Sequence, residues 1–177
     1  MYLYWLTGLA GAGKTTIGRE LYSVIKTKKS NVVFLDGDIL REVFGKNMGY
    51  STDERIKIAF QYSRLCKLLT EQGIDVICAT ISMFKECRQW NRDNIPCYHE
   101  IYIRVPLEIL IKRDQKQLYS RALNGEIQQV MGIDIPFDEP ERPDLIVDND
   151  GSKAPNSIAT YIFQQLIDRG SDHEAEV

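Results

Sequence analysis

The sequence predicts an α/β fold: a parallel five-stranded sheet with helices on both faces. Three observations carry this. Five short β-prone apolar runs, beginning near Tyr2, Val32, Ile74, Ile101 and Leu145, are spread along the 177 residues. Between them lie segments whose apolar residues recur at helical spacing, such as Ile17, Leu21, Val24 and Ile25. The first run and the first helical segment are joined by Gly8-Leu9-Ala10-Gly11-Ala12-Gly13-Lys14-Thr15-Thr16, which fits G-x-x-x-x-G-K-[ST]. Strand, glycine loop and helix in that order define a P-loop NTPase, and right-handed crossovers between parallel strands narrow the topology to the nucleotide-kinase type.

The loop's residue types match its chemistry. Gly8, Gly11 and Gly13 let the backbone approach an anion with no Cβ in the way, and the amides from Ala10 and Ala12 through Thr16 can wrap phosphate oxygens. Lys14 brings a point charge to the β- and γ-phosphates, and the Thr15 hydroxyl suits Mg²⁺. The helix that begins here aims its positive end at the same anion. A nucleoside triphosphate with Mg²⁺ is the predicted ligand.

Val32 to Leu35 reads as a second buried strand, followed at once by Asp36-Gly37-Asp38 in a loop. Carboxylates at the carboxyl end of a strand in such a sheet can hold Mg²⁺ and take the proton of an attacking hydroxyl. Ile39 to Phe44 forms a short helix carrying Arg41. Ser51 and Glu54 have the spacing of a capping box, opening a helix that runs to about Glu71 and ends at Gly73. Arg55 in its first turn opposes the helix dipole, which points to an anionic partner. Ile74 to Thr80 is the third strand, with Ile81 and Ser82 just beyond it. Ile101 to Val105 is the fourth, and Pro106 opens a helix at its first position. Arg113 to Pro140 mixes Arg113, Lys116 and Arg121 with Gly125 and Gly132, a basic, interrupted segment suited to a lid over phosphates. Leu145 to Val147 is the fifth strand, and Ala154 to Ile167 the last helix, with Ile158, Ile162 and Leu166 on one face. Residues 1–169 thus form one domain that includes the lid 113–140, and residues 170–177 a polar tail.

Composition narrows the function classes. Hydrophobic residues make up 44% and charged residues 27%, as in ordinary globular domains. A net charge of -3 predicts no nucleic-acid partner. No apolar run approaches the roughly 20 residues of a membrane span, and no basic-then-apolar leader opens the chain, so a cytoplasmic protein with no membrane partner is expected. The 4 cysteines, Cys66, Cys78, Cys87 and Cys97, include no C-x-x-C pair and read as small buried residues. His99 and His173 show no ligand spacing.

Several ordered stretches together resemble the adenylylsulfate kinase family over about residues 3 to 148. Besides the glycine loop, these are Leu35 to Arg41, Met48-Gly49-Tyr50-Ser51 with Arg55, Ile81-Ser82, Val105 to Glu108, Arg113-Asp114, Leu118-Tyr119, Gly125 to Ile127 and Gly132-Ile133-Asp134. The resemblance implies transfer of the γ-phosphoryl of ATP to a ribose 3′-hydroxyl with Mg²⁺. It implies that Lys14 and Arg113 serve ATP, that Arg41 and Arg55 grip the acceptor's anionic groups, and that Ser82 and Lys116 lie beside the acceptor with Tyr50, Ile81 and residue 130. Arginine suits that role because its planar fork binds phosphate or sulfate oxygens in pairs. Asp36 and Asp38 share the metal (with Thr15) and the acceptor hydroxyl, with the division between them left open. Dimers are common in the family, so a homodimer is one arrangement the resemblance allows.

The departures gather at the acceptor's base. Tyr50 replaces a phenylalanine, and Ile58 stands where the family has asparagine. Met83-Phe84 follow Ser82 where proline and tyrosine are usual, and Gln115 and Gln117 flank Lys116 in place of proline and glycine. Val130 replaces a phenylalanine that stacks on the acceptor adenine. Base–aromatic stacking is worth about 1–3 kcal/mol, so adenine affinity is expected to fall roughly tenfold or more. Changes that gather at the base, with the ATP-side residues matching, favour a different acceptor under unchanged chemistry. The cytidine diphosphoramidate kinases of bacterial capsule synthesis, a closely similar group, use a smaller pyrimidine. Cytidine diphosphoramidate is therefore the expected acceptor, with adenylylsulfate the alternative. A GTPase switch would need N-K-x-D, which the sequence lacks after the third strand, and a dead nucleotide-binding subunit would be expected to have lost Lys14 or the aspartate pair.

Overall fold

A computed structural model describes residues 1–45 and 49–168. Met48 of the motif above and the predicted tail 170–177 lie outside the described residues. The five strands are β1 (Leu3–Thr7), β2 (Val32–Asp36), β3 (Asp75–Ala79), β4 (Tyr98–Arg104) and β5 (Leu145–Asp148). They form one sheet in the order β2-β3-β1-β4-β5, with every pairing parallel. The central β1 is buried at all five positions, and so is its neighbour β3, as expected of strands covered on both faces. β2 is an edge strand rather than a buried one, since Val33, Phe34 and Leu35 are only half-buried.

Helix α1 (Lys14–Lys26) packs Ile17, Leu21 and Ile25 inward beside α7 (Pro155–Phe163), which buries Ile158 and Ile162. Gly18 lets it approach β2, because a Cβ there would lie 2.6 Å from the Phe34 ring. α7 ends before the predicted Ile167, in a π-helical turn over Gln164–Asp168. The short α2 (Gly37–Phe44) begins directly at β2, so the Asp36-Gly37-Asp38 stretch is a strand end and a helix start instead of a loop. α3 (Thr52–Glu71) opens with the full capping box: Ser51 Oγ accepts from the Glu54 amide, and the Glu54 carboxylate accepts from the Ser51 amide. Ser51→Ala should lower stability by about 1 kcal/mol, read as a lower urea midpoint at unchanged slope.

Helix α4 (Lys85–Asn94) is absent from the sequence reading, and its inner face explains why. That face is Cys87, Arg88 and Asn91, with no apolar stripe and no side-chain cap. Arg88 is buried because Glu100 of β4 meets it at 2.9 Å, while Arg92 spans Glu100 and Asp144. β4 begins at Tyr98, ahead of the predicted Ile101, and pairs from there with Leu3 of β1. Helix α5 (Leu107–Arg113) takes Pro106 as its cap rather than its first residue. A 3-10 turn (Gln115–Gln117) and α6 (Leu118–Leu123) follow, and residues 124–144 carry only an isolated bridge between Met131 and Ile135. Cys66, Cys78 and Cys87 are buried, Cys97 is partly buried, and all four are free. Among the described residues no helix is long and apolar enough to cross a membrane.

Candidate active site

The carboxyl ends of β1, β2 and β3 deliver the glycine loop, Asp36 and the Thr80–Ser82 stretch to one side of the sheet. A cleft of about 540 Å³ opens there, roofed by Gln115, Lys116, Leu118 and Met131. Its floor is the glycine loop from Ala10 to Thr16, apart from Ala12, which is buried and points away. Gly8 lies behind the loop, where a Cβ would come 2.4 Å from the Ile103 carbonyl oxygen, so β4 leaves room for nothing larger.

Lys14 is buried, and its Nζ donates to the Leu9 carbonyl at 2.8 Å. Burial lowers its pKa to about 8, against the opposing pull of Asp38 and Asp36. The Thr15 hydroxyl donates to Asp36 Oδ2 at 2.6 Å. The other oxygen of Asp36, Oδ1, caps α2 by accepting from the amides of Asp38 at 2.9 Å and Ile39 at 3.4 Å. Asp38 stands in the first turn of α2, exposed, and meets Lys116 Nζ across the cleft at 3.3 Å. Such an exposed pair contributes little stability and opens readily.

At the far end, Arg41 and Arg55 flank Tyr50, their guanidinium carbons 4.4 Å and 5.3 Å from its ring centre. Arg41 donates to the Gly49 carbonyl, and Arg55 to the carbonyls of Tyr50 and Gln129. Burial, and then the Arg41 charge, lower the Arg55 pKa. Two guanidinium groups gathered on one ring can in principle seat an anion. Ser82 is buried with φ 25° and shares a 2.8 Å hydrogen bond with the Thr80 hydroxyl. Ile81 lines the cleft beside it.

Besides Gly8 and Ala12, two more predicted residues fall outside the lining. Val130 is 4% exposed and turned into the core, and Met131 reaches the cleft in its place. Arg113 also lies outside the lining, donating to the carbonyls of Asn149 at 2.8 Å and Gly11 at 3.5 Å. Sequence reasoning missed Tyr62, Thr80, Phe84, Gln115, Leu118 and Met131 as lining residues. Tyr62 had a signal, since Arg55, Ile58 and Tyr62 fall at helical spacing on one face of α3 and all three line the cleft. Its hydroxyl donates to the Gly37 carbonyl at 3.0 Å.

The cleft therefore joins an anion cradle, two carboxylates and a second cationic seat, the parts needed to bring two phosphate-bearing molecules together. Comparison with known proteins agrees. Residues 2–148 match the family model described as adenylylsulphate kinase. A cytidine diphosphoramidate kinase from Campylobacter jejuni is 50% identical over 148 residues, spanning 84% of this chain and 86% of that protein. An adenylyl-sulfate kinase from Halothermothrix orenii is 37% identical over 166 residues, spanning 94% and 89%. Among solved structures, the Mycobacterium tuberculosis APS kinase in complex with AMPPNP and APS superposes with a TM-score of 0.84 at 29% identity, covering 93% of this chain and 96% of that one. The chain belongs to the adenylylsulphate kinase family and is an ATP-dependent phosphotransferase.

Proposed function

We propose that this enzyme transfers the γ-phosphoryl group of ATP to the ribose 3′-hydroxyl of a cytidine-linked acceptor, cytidine diphosphoramidate, in the modification of a capsule polysaccharide. The observation that carries this reading is the make-up of the base end of the cleft. Ile58 and Met131 line the cleft, Val130 is turned into the core, and of the aromatic residues Tyr50, Tyr62 and Phe84 in the described lining only Tyr50 is exposed. A pyrimidine needs less stacking surface than adenine, and a 50% identical relative is named for the cytidine compound.

In the proposed mechanism the loop amides and Lys14 seat the triphosphate, and Arg41 and Arg55 hold the acceptor's acidic end. The 3′-oxygen attacks the γ-phosphorus, the bond to the ADP oxygen breaks in line, and the hydroxyl proton passes to a carboxylate. The hydrogen bonds favour Asp38 for that proton, since both Asp36 oxygens are engaged and Asp38 faces the cleft. Mg²⁺ fits the Thr15 hydroxyl and the Asp36 carboxylate, hard oxygen donors 2.6 Å apart, and when bound would neutralise charge on the β- and γ-phosphates. Lys116 and the lid would keep water from the γ-phosphate.

The test is kcat/KM on cytidine diphosphoramidate and on adenylylsulfate under identical conditions. A preference of about tenfold or more for the cytidine compound is expected. Equal turnover, or a preference for adenylylsulfate, overturns the assignment of the acceptor and leaves the phosphoryl-transfer reading standing.

A further inference from the structure

The outer rim of the glycine loop is pinned by side chains that play no part in the mechanism above. The Tyr119 hydroxyl of α6 donates to the Ala10 carbonyl at 2.8 Å. The Asn149 Nδ2, just past β5, donates to the Ala12 carbonyl at 2.8 Å. Both groups are themselves held. The amide of Tyr119 donates to Asp114 Oδ1 at 2.9 Å, and its side chain is buried. The amide of Asn149 donates to the Arg104 carbonyl at 3.0 Å, and its own carbonyl accepts from Arg113.

In a planar trans peptide the C=O of one residue and the N–H of the next point in opposite directions. Fixing the Ala10 carbonyl outward therefore aims the Gly11 N–H inward, and fixing the Ala12 carbonyl does the same for the Gly13 N–H. These two peptides are the ones most in need of a pin. Gly11 at φ 77° and Gly13 at φ 92° have no Cβ to hold their conformation, so either peptide can turn over at little steric cost. The fit is close at Gly13, where an added Cβ would lie 2.7 Å from Asn149 Nδ2. Burial pushes the Tyr119 phenol up to about 12, so it is protonated and donating at neutral pH.

We infer that Tyr119 and Asn149 are positioning residues that orient the Gly11 and Gly13 amides toward the triphosphate. The inference rests on the reading that this loop seats ATP. Because Tyr119 belongs to the segment that roofs the cleft, its hydrogen bond also ties lid to cradle, beside the one from Arg113 to the Gly11 carbonyl.

The experiment compares Tyr119→Phe, Asn149→Leu and Lys14→Ala, the first two removing a donor without adding charge. Calorimetry gives Kd for a non-hydrolysable ATP analogue and for inorganic tripolyphosphate, and steady-state kinetics give KM for each substrate. Each pin variant should weaken both phosphate ligands by about tenfold, raise KM for ATP in step and leave KM for the acceptor unchanged. A purely structural role would lower the melting temperature without this split. Loss of affinity for the ATP analogue alone, with tripolyphosphate unaffected, would assign the residues to the nucleoside and overturn the inference. So would unchanged binding of both ligands while Lys14→Ala abolishes it. Unchanged tripolyphosphate binding by Lys14→Ala would instead remove the loop as the phosphate seat, and the inference with it. Should Asn149→Leu not fold, Tyr119→Phe, which removes a single oxygen, carries the test.

Discussion

Lys14→Ala is expected to lower kcat/KM for ATP by about a thousandfold. Lys14 is the one cation in the glycine loop itself, and it is buried, where a charge acts on its partner with little screening by water. Loss of the ammonium group removes the loop's one cation from the charge that grows on the β–γ bridge during transfer, leaving that charge to the loop amides and Mg²⁺. A variant that stays within about tenfold of the unmodified enzyme would remove Lys14 from the mechanism. Its titration supplies a second readout. Burial sets its pKa at about 8 in the free protein, so kcat/KM for ATP should fall as pH rises past that value. The profile of kcat should hold to higher pH, because a bound triphosphate favours the charged form. In Lys14→Ala this alkaline limb should vanish. The sign for stability is opposite. The unfolded chain keeps this proton up to a higher pH than the folded chain does. Burying Lys14 therefore lowers stability at neutral pH, and that penalty shrinks as pH rises through and beyond about 8.

The parts of the fold that sequence reveals are those where one local rule acts alone. The glycine loop between a buried strand and an amphipathic helix is such a case, and so is the Ser51/Glu54 capping box. α4 is hidden because its burial depends on partners distant in sequence: Arg88 turns inward to meet Glu100 on β4 and the Glu139 carbonyl. The cleft shows the same divide. Asp36, Asp38, Arg41 and Arg55 sit on or beside regular elements, and a motif fixes where they point. Val130 lies in an irregular segment where no period fixes which side chain faces in. There the Asp134 carboxylate accepts from the amides of Gln129 and Val130, Gln129 takes φ 65°, and Met131 is brought to the cleft. Asn149 carried no signal at all, since its role depends on how β5 ends beside Gly13.

Asp36→Asn should lower kcat by about a hundredfold while leaving the fold nearly as stable as before. The two oxygens of Asp36 do separate work, and this substitution parts them. Oδ1 caps α2 by accepting from two backbone amides, and an asparagine side chain keeps a carbonyl oxygen for that purpose. Oδ2 receives the Thr15 hydroxyl, and there asparagine brings a neutral NH₂ group where a charged acceptor stood. Asp36→Ala removes both functions, so it should match the loss in kcat and add about 1 kcal/mol of lost stability, visible as a lower melting temperature. Asp38→Asn forms the contrast. It breaks an exposed pair with Lys116 and removes a charge that faces Lys14 and the start of α2, so its stability should change by no more than about 1 kcal/mol, while kcat falls through loss of the group that takes the proton. Raising Mg²⁺ should restore part of the activity of Asp36→Asn and none of that of Asp38→Asn. The reverse pattern would exchange the roles of the two carboxylates. Equal rescue of both variants would mean that neither residue acts apart from the metal, and the assignment of Asp38 as proton acceptor would fall.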